Sequence, residues 1–117
     1  MYGLPPSTDL SALRGLLLTQ VCVGQHEVNL NFEGECRIMV TSTFVMHSGG
    51  RETSDRSEIL TEFIASLGKA IQSVEWNVAG TVRLRFAGRA ATIDILDDEP
   101  NYESYEIQFK DRPLIVV

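Results

Sequence analysis

Val28-Asn29-Leu30-Asn31-Phe32-Glu33-Gly34-Glu35 and Val82-Arg83-Leu84-Arg85-Phe86-Ala87-Gly88-Arg89 share one frame: Val-x-Leu-x-Phe-x-Gly, then a charged residue, at an offset of 54 residues. Within each copy the apolar side chains fall on alternate positions. A strand sends alternate side chains to opposite faces, so Val, Leu and Phe share one face and the polar residues share the other. The glycine that follows is where a hairpin turns back. A strand containing Val21 or Val74 precedes each copy, and one containing Ile38 or Ile93 follows it. Each copy is therefore a hairpin whose apolar side must be covered. Two such units imply one sheet or two half-sheets with a helix over one face.

That helix is read between the copies. Asp55 followed by Glu58 fits a capping box. Ile59, Leu60, Phe63, Ile64 and Leu67 then make a helical stripe, with Glu58, Thr61, Glu62 and Ser66 turned outward and Gly68 at the end. On the N-terminal side, Leu16–Val23, His26–Phe32 and an 11-residue strand Cys36–Met46 make a three-stranded meander. His47–Asp55 reads as a flexible polar loop around Gly49-Gly50. On the C-terminal side, strands are expected at Ile71–Trp76, Thr81–Phe86, Ala90–Leu96, Tyr102–Phe109 and Leu114–Val117.

The expected organisation is an arm with a short helical turn over 1–15, capped by Ser7-Thr8-Asp9 and ended by Gly15, and an α+β domain over 16–117. The domain divides into a first meander (16–46), loop and helix (47–70) and a second meander (71–117). It has about seven antiparallel strands and one main helix, about 56–68, packed on one face. One helix cannot cover both faces of such a sheet, which points to a second subunit, a homodimer, or a partner on the remainder.

The 117 residues are 44% hydrophobic and 22% charged, the proportions of a globular domain. No run of 18 apolar residues occurs, so no membrane span is expected. The opening Met1-Tyr2-Gly3-Leu4-Pro5-Pro6 lacks the basic and apolar regions of a secretion signal, which suggests the cytoplasm. Cys22 and Cys36, on strands read as neighbours, fit small buried hydrophobes in a reducing compartment better than a disulfide or a nucleophile.

Sixteen acids and ten bases give a net charge of −6. Asp94, Asp97, Asp98, Glu99, Glu103 and Glu106 lie together without a base, and the rest of the chain balances to zero. Such a field repels phosphate backbones, so nucleic acid is not the expected partner; a basic protein is.

No catalytic set, metal site or cofactor motif emerges. His26 and His47 lack zinc spacing and read as surface histidines. Asp94–Glu99 holds oxygen ligands without the glycine and alternation of a calcium loop. Ser48-Gly49-Gly50-Arg51 lacks the Gly-Lys-Ser/Thr ending of a phosphate cradle. In the last long strand Tyr105, Ile107 and Phe109 face the core, and Tyr102 is left beside the acidic turn. A tyrosine flanked by acids makes good interface material, because its ring adds contact area at little entropic cost. The expected partner-binding residues are therefore Asp97, Asp98, Glu99, Tyr102, Glu103 and Glu106, in a non-catalytic interaction domain. The rival is a small ligand binder or enzyme with a cleft between the hairpins, using His26 or His47 beside a carboxylate.

The two Val-x-Leu-x-Phe-x-Gly frames, the helix between them and Tyr102-Glu103-Ser104-Tyr105 together resemble a family of small uncharacterised bacterial proteins, a domain of unknown function. The likeness covers about residues 16–117. It implies a cytoplasmic bacterial origin and no activity; Tyr105 stands where that family as often has Trp.

Overall fold

The computed structural model describes residues 3–117. Among them are ten strands and one α-helix: β1 Leu18–Val23, β2 Val28–Phe32, β3 Cys36–Val40, β4 Phe44–Ser48, β5 Arg51–Thr53, α1 Arg56–Ala65, β6 Ile71–Trp76, β7 Val82–Phe86, β8 Thr92–Ile95, β9 Tyr105–Gln108 and β10 Ile115–Val116. A 3-10 turn spans Ser11–Leu13. The fold is α+β. Its strands form two antiparallel five-stranded sheets, ordered β1-β2-β3-β9-β10 and β5-β4-β8-β7-β6.

The duplication is written into the register. β1 pairs with β2 through Val21↔Leu30 and β6 pairs with β7 through Val74↔Leu84, with an irregularity after Leu18 in one and after Ile71 in the other. Leu30 faces Ile38 on β3, as Leu84 faces Ile93 on β8. Each half then gives its last two strands to the other's sheet. β9 lies against β3 with Ile107 opposite Ile38, and β4 lies against β8 with Met46 opposite Ile93.

The halves meet at matched points. Leu17 bridges Ala70. Around that bridge the hydrogen bonds are reciprocal: Gly15 N to Ile71 O and Gly68 N to Leu18 O, both 2.8 Å, with Leu18 N to Lys69 O at 3.0 Å and Ile71 N to Leu16 O at 2.9 Å. Reciprocal contacts between equivalent residues are the signature of a two-fold relation. Gly15 and Gly68 have φ of 90° and 78°, the left-handed region that suits glycine as the chain leaves a helical turn.

The inner faces of both sheets feed one apolar cluster, to which Leu10 and Leu13 of the arm and Ile59 and Phe63 of α1 belong. Phe63 meets Phe44 and Phe86 edge-on, at ring separations of 5.3 and 6.4 Å. α1 is capped as its sequence requires, Asp55 accepting from Glu58 N at 2.9 Å. The Glu58 carboxylate does not return to the cap backbone; it takes Arg51 and Thr53, both at 2.8 Å.

Several expectations need correction. Ten strands replace seven, because Cys36–Met46 is broken at residues 41–43 into β3 and β4, which enter different sheets. Gly49-Gly50 is the tip of the β4–β5 hairpin rather than the middle of a flexible loop. The helix stops at Ala65; Ile64 is 58% exposed and Leu67 lies past its end, while Ser66 is buried. Glu62 does not point freely outward, since Arg89 grips its carboxylate at 2.8 and 2.9 Å. Cys22 and Cys36 are on β1 and β3, separated by β2 and free. Burial pushes the Cys36 thiol up to about 11, which leaves it protonated and unreactive. The inner apolar faces of the two sheets and of α1 share one core, so the helix is not the sole cover of either sheet.

Candidate functional sites

The acidic stretch divides into three environments. Asp94 sits in β8 and is 6% exposed. Its Oδ1 accepts from Arg83 Nε at 2.6 Å, and its Oδ2 lies 3.0 Å from Arg83 Nη2 and 3.1 Å from His47 Nε2. Burial alone would push this carboxyl up; the hydrogen bonds from Arg83 and His47 outweigh burial and hold it below the ordinary range. His47 is thus half-buried and held rather than a bare surface imidazole, its other ring nitrogen 3.6 Å from Glu52. Both ring nitrogens thus face carboxylates, the nearer being Asp94. Among the described residues no three of His, Cys, Asp and Glu gather as a metal ligand set.

Asp97 also works internally. It accepts the Ser104 hydroxyl and Gly3 N–H, each at 2.6 Å. Burial pushes this carboxyl up, the hydrogen bonds from Ser104 and Gly3 are among the causes that lower it, and on balance it too is held low. Asp98, Glu99, Tyr102 and Glu103 stay in the loop between β8 and β9. Tyr102 is 74% exposed, and Asp98 and Glu103 are exposed beside it. The loop base is tied down. Ser104 Oγ takes Glu99 N–H at 3.2 Å, Asp98 takes Thr43 N–H at 3.1 Å, and the Thr41 hydroxyl donates to the Glu103 carbonyl. Glu106 stands apart, on β9 between Met39 and Val116. Of the six residues expected to form one surface, four share the loop, one braces it and one lies on the sheet.

A third feature bears on the rival reading of a cleft with His26 or His47 beside a carboxylate. At one end of the molecule a cleft of about 210 Å³ opens over Val28, Val40, Phe44 and Ile59, with His26, Ser42 and Arg56 on its rim. Glu27 also lines it, beside His26. The Ser42 hydroxyl is buried and has no hydrogen-bond partner. The Arg83–Asp94–His47 cluster could not be found from spacing, because β4–β8 pairing brings together residues 47 positions apart. The alternation of Thr92-Ile93-Asp94-Ile95 was the one available sign, since it set Asp94 on the polar face beside Arg83.

No helix among the described residues is long and apolar enough to cross a membrane. No curated protein and no solved structure matches the chain. Over residues 10–117, nearly the whole α+β unit, the sequence matches a family model, and the chain belongs to that family, a family of unknown function (DUF6188).

Proposed function

We infer that this is a non-catalytic protein-interaction domain, adaptor- or immunity-like, that works in the bacterial cytoplasm and meets a basic protein through the β8–β9 loop. The observation that carries this reading is Tyr102, three-quarters exposed between acids on a loop whose base is pinned from three sides. A large apolar ring left in water contributes nothing to folding, whereas on a pre-ordered loop it can be buried by a partner with little further loss of entropy. Asp98, Glu99 and Glu103 supply the charge that would draw a basic surface toward it.

The rival reading as an enzyme or small-molecule binder is weaker. The end cleft places His26 beside Glu27 but holds only about 210 Å³, below the roughly 300–1,000 Å³ of ordinary ligand pockets; the observation that favours this rival is a second hollow of about 450 Å³ lined by His26, Thr41, Glu99 and Tyr102. His47 is spent in the Asp94 cluster.

The test immobilises the chain and challenges it with a bacterial lysate at about 50 and about 300 mM salt, between which the Debye length falls about 2.5-fold. A basic protein should be retained at low salt and weakened about tenfold or more at high salt, by Tyr102→Ala, and by Glu99→Lys with Glu103→Lys. A partner held equally in both salts and by all variants sinks the proposal.

A further inference from the structure

The two crossovers between the sheets are equivalent in the duplicated plan and unequal in length. In the first half the chain leaves β3 at Val40 and enters β4 at Phe44, across residues 41–43. In the second half it leaves β8 at Ile95 and enters β9 at Tyr105, across residues 96–104. The register fixes the correspondence. Val40 faces Val28 as Ile95 faces Val82, and Tyr105 then faces Val40 as Phe44 faces Ile95. Three residues are enough to change sheets in one half, whereas the other uses nine. Most of the longer crossover is therefore surplus to the fold.

The surplus is laid back over the short crossover. The Ser104 carbonyl accepts Thr41 N–H at 2.9 Å and Ser42 N–H at 3.1 Å, and Leu96 N–H reaches the Thr43 carbonyl at 3.0 Å. Between this loop and the β1–β2 turn lies the hollow of about 450 Å³, walled by His26, Thr41, Glu99 and Tyr102. Glu99 is half-buried there, and its Oε1 accepts Asn101 N–H at 3.0 Å. Among the described residues no Lys or Arg lines the hollow or pairs with that carboxylate. A carboxylate set in a hollow beside an aromatic ring is a receptor for an organic cation. The charge attracts the cation, the face of the ring holds it, and partial burial weakens the screening of both.

We propose that this hollow receives an arginine side chain of a basic protein partner, its guanidinium bonded to the Glu99 carboxylate and stacked on the Tyr102 ring. Arginine fits better than lysine. Its planar, weakly hydrated guanidinium stacks on rings and donates to carboxylates in a fork, whereas an ammonium is a compact and strongly hydrated point charge. A second copy of this chain would bring the same excess of acid to the face, so the occupant is a different protein. The inference rests on the reading of the β8–β9 loop as a docking surface and names what the partner must present there.

The probe is acetyl-Gly-Arg-Gly-amide, titrated into the ¹⁵N-labelled full chain beside the same peptide with lysine or neutral citrulline in place of arginine. The arginine peptide should bind with a Kd of about 1–5 mM and shift the amides of His26, Thr41 and Tyr102. Lysine should bind about three- to tenfold more weakly, and citrulline should not bind. Glu99→Gln keeps an oxygen for Asn101 N–H but removes the charge, and should weaken the arginine peptide about tenfold. Tyr102→Ala should weaken it about three- to tenfold. His26→Arg sets the chain's own guanidinium in the hollow and should abolish the shifts. Asp111→Asn removes an exposed acid beyond the far end of β9, and should change binding less than about twofold.

The proposal is overturned by an absence of shifts at about 20 mM arginine peptide, by equal binding of the lysine peptide, or by equal weakening from Glu99→Gln and Asp111→Asn. Free arginine bound about tenfold tighter than the blocked peptide would make this a small-molecule site and overturn the choice of occupant. The docking surface and the hollow fail separately. Salt-sensitive retention of a basic protein by a chain that ignores the arginine peptide sinks the hollow alone. An arginine-selective hollow on a chain that retains no protein upholds the site and overturns the partner.

Discussion

On the outward face of the second sheet, Arg83, Asp94 and His47 join in one ionic cluster; the matched positions on the first sheet are Asn29, Met39 and Gln108, which carry no charge. Turned inward, the same strands repeat each other almost residue for residue: Leu30 and Leu84, Phe32 and Phe86, Ile38 and Ile93 are all buried. The contrast separates two kinds of constraint. Inward positions must fill a shared volume at near-crystalline density, so only side chains of similar size and polarity serve. Outward positions need only to be satisfied, by water or by each other, and the two halves have diverged there without disturbing the register.

The sharpest way to break the comparison is in the core beneath the helical segments. Phe63 on α1 and Leu10 before the 3-10 turn hold equivalent places, and both are fully buried. Phe63→Ala is expected to cost about 3–5 kcal/mol and Leu10→Ala nearer 2–4 kcal/mol, because Phe63 also loses two edge-on ring contacts. Urea unfolding of both variants measures the difference; a larger loss at Leu10 would show that the arm, not α1, holds the core together.

Next in size is the outward pair Asp94 and Met39. Asp94→Ala leaves Arg83 and His47 without their shared partner and should cost about 2–3 kcal/mol, against roughly 1 kcal/mol for Met39→Ala. The acid limb provides an independent check. The folded Asp94 carboxyl titrates below its ordinary value of 3.8, so the unfolded chain takes up a proton first as pH falls. Its contribution is therefore complete above that value and is lost as pH drops through and below it. Chemical denaturation between about pH 6 and pH 2.5 should show a steeper acid loss for the wild type than for Asp94→Asn, and parallel curves would remove the cluster from the stability account.

The smallest effects lie in the turns. Gly68→Ala meets open space and pays only for its positive φ, about 1 kcal/mol. Gly80→Ala adds a collision, 2.7 Å from the Asp97 Cβ and 3.2 Å from the Gly3 Cα, and should cost about 2 kcal/mol while raising protease cleavage of the arm. Equal melting points for the two variants would mean that the arm yields without resistance.

Sequence patterning made the repeated frame legible because alternation and glycine are local signals. Val28-x-Leu-x-Phe and Val82-x-Leu-x-Phe had to be strands, Asp55 and Glu58 had to begin a helix, and Tyr105, Ile107 and Phe109 had to face inward. The exchange of strands between halves was not legible, since nothing in Cys36–Met46 announces that the chain leaves one sheet at Thr41 and joins the other at Phe44. The same blindness hid Asp94 within an acidic run that looked uniformly wet. Charge composition reports a sum over neighbours in sequence, whereas Arg83 and His47 reach Asp94 through strand pairings separated by 11 and 47 positions. Tyr102 was legible as exposed because the alternation read over Tyr102–Phe109 turned it away from Tyr105, Ile107 and Phe109, although the strand itself begins only at Tyr105.

The crossing of strands also sets an order of events. A ribosome that has released β1 to β5 has supplied β4 and β5 with no neighbour but each other, for their sheet requires β8, and β3 keeps an open edge until β9 arrives. A lone two-stranded hairpin is barely stable in water, so half of this chain has no native resting state of its own. Completion waits on contacts between distant parts of the chain, which places the fold among the slower small domains and leaves apolar strand edges bare during synthesis.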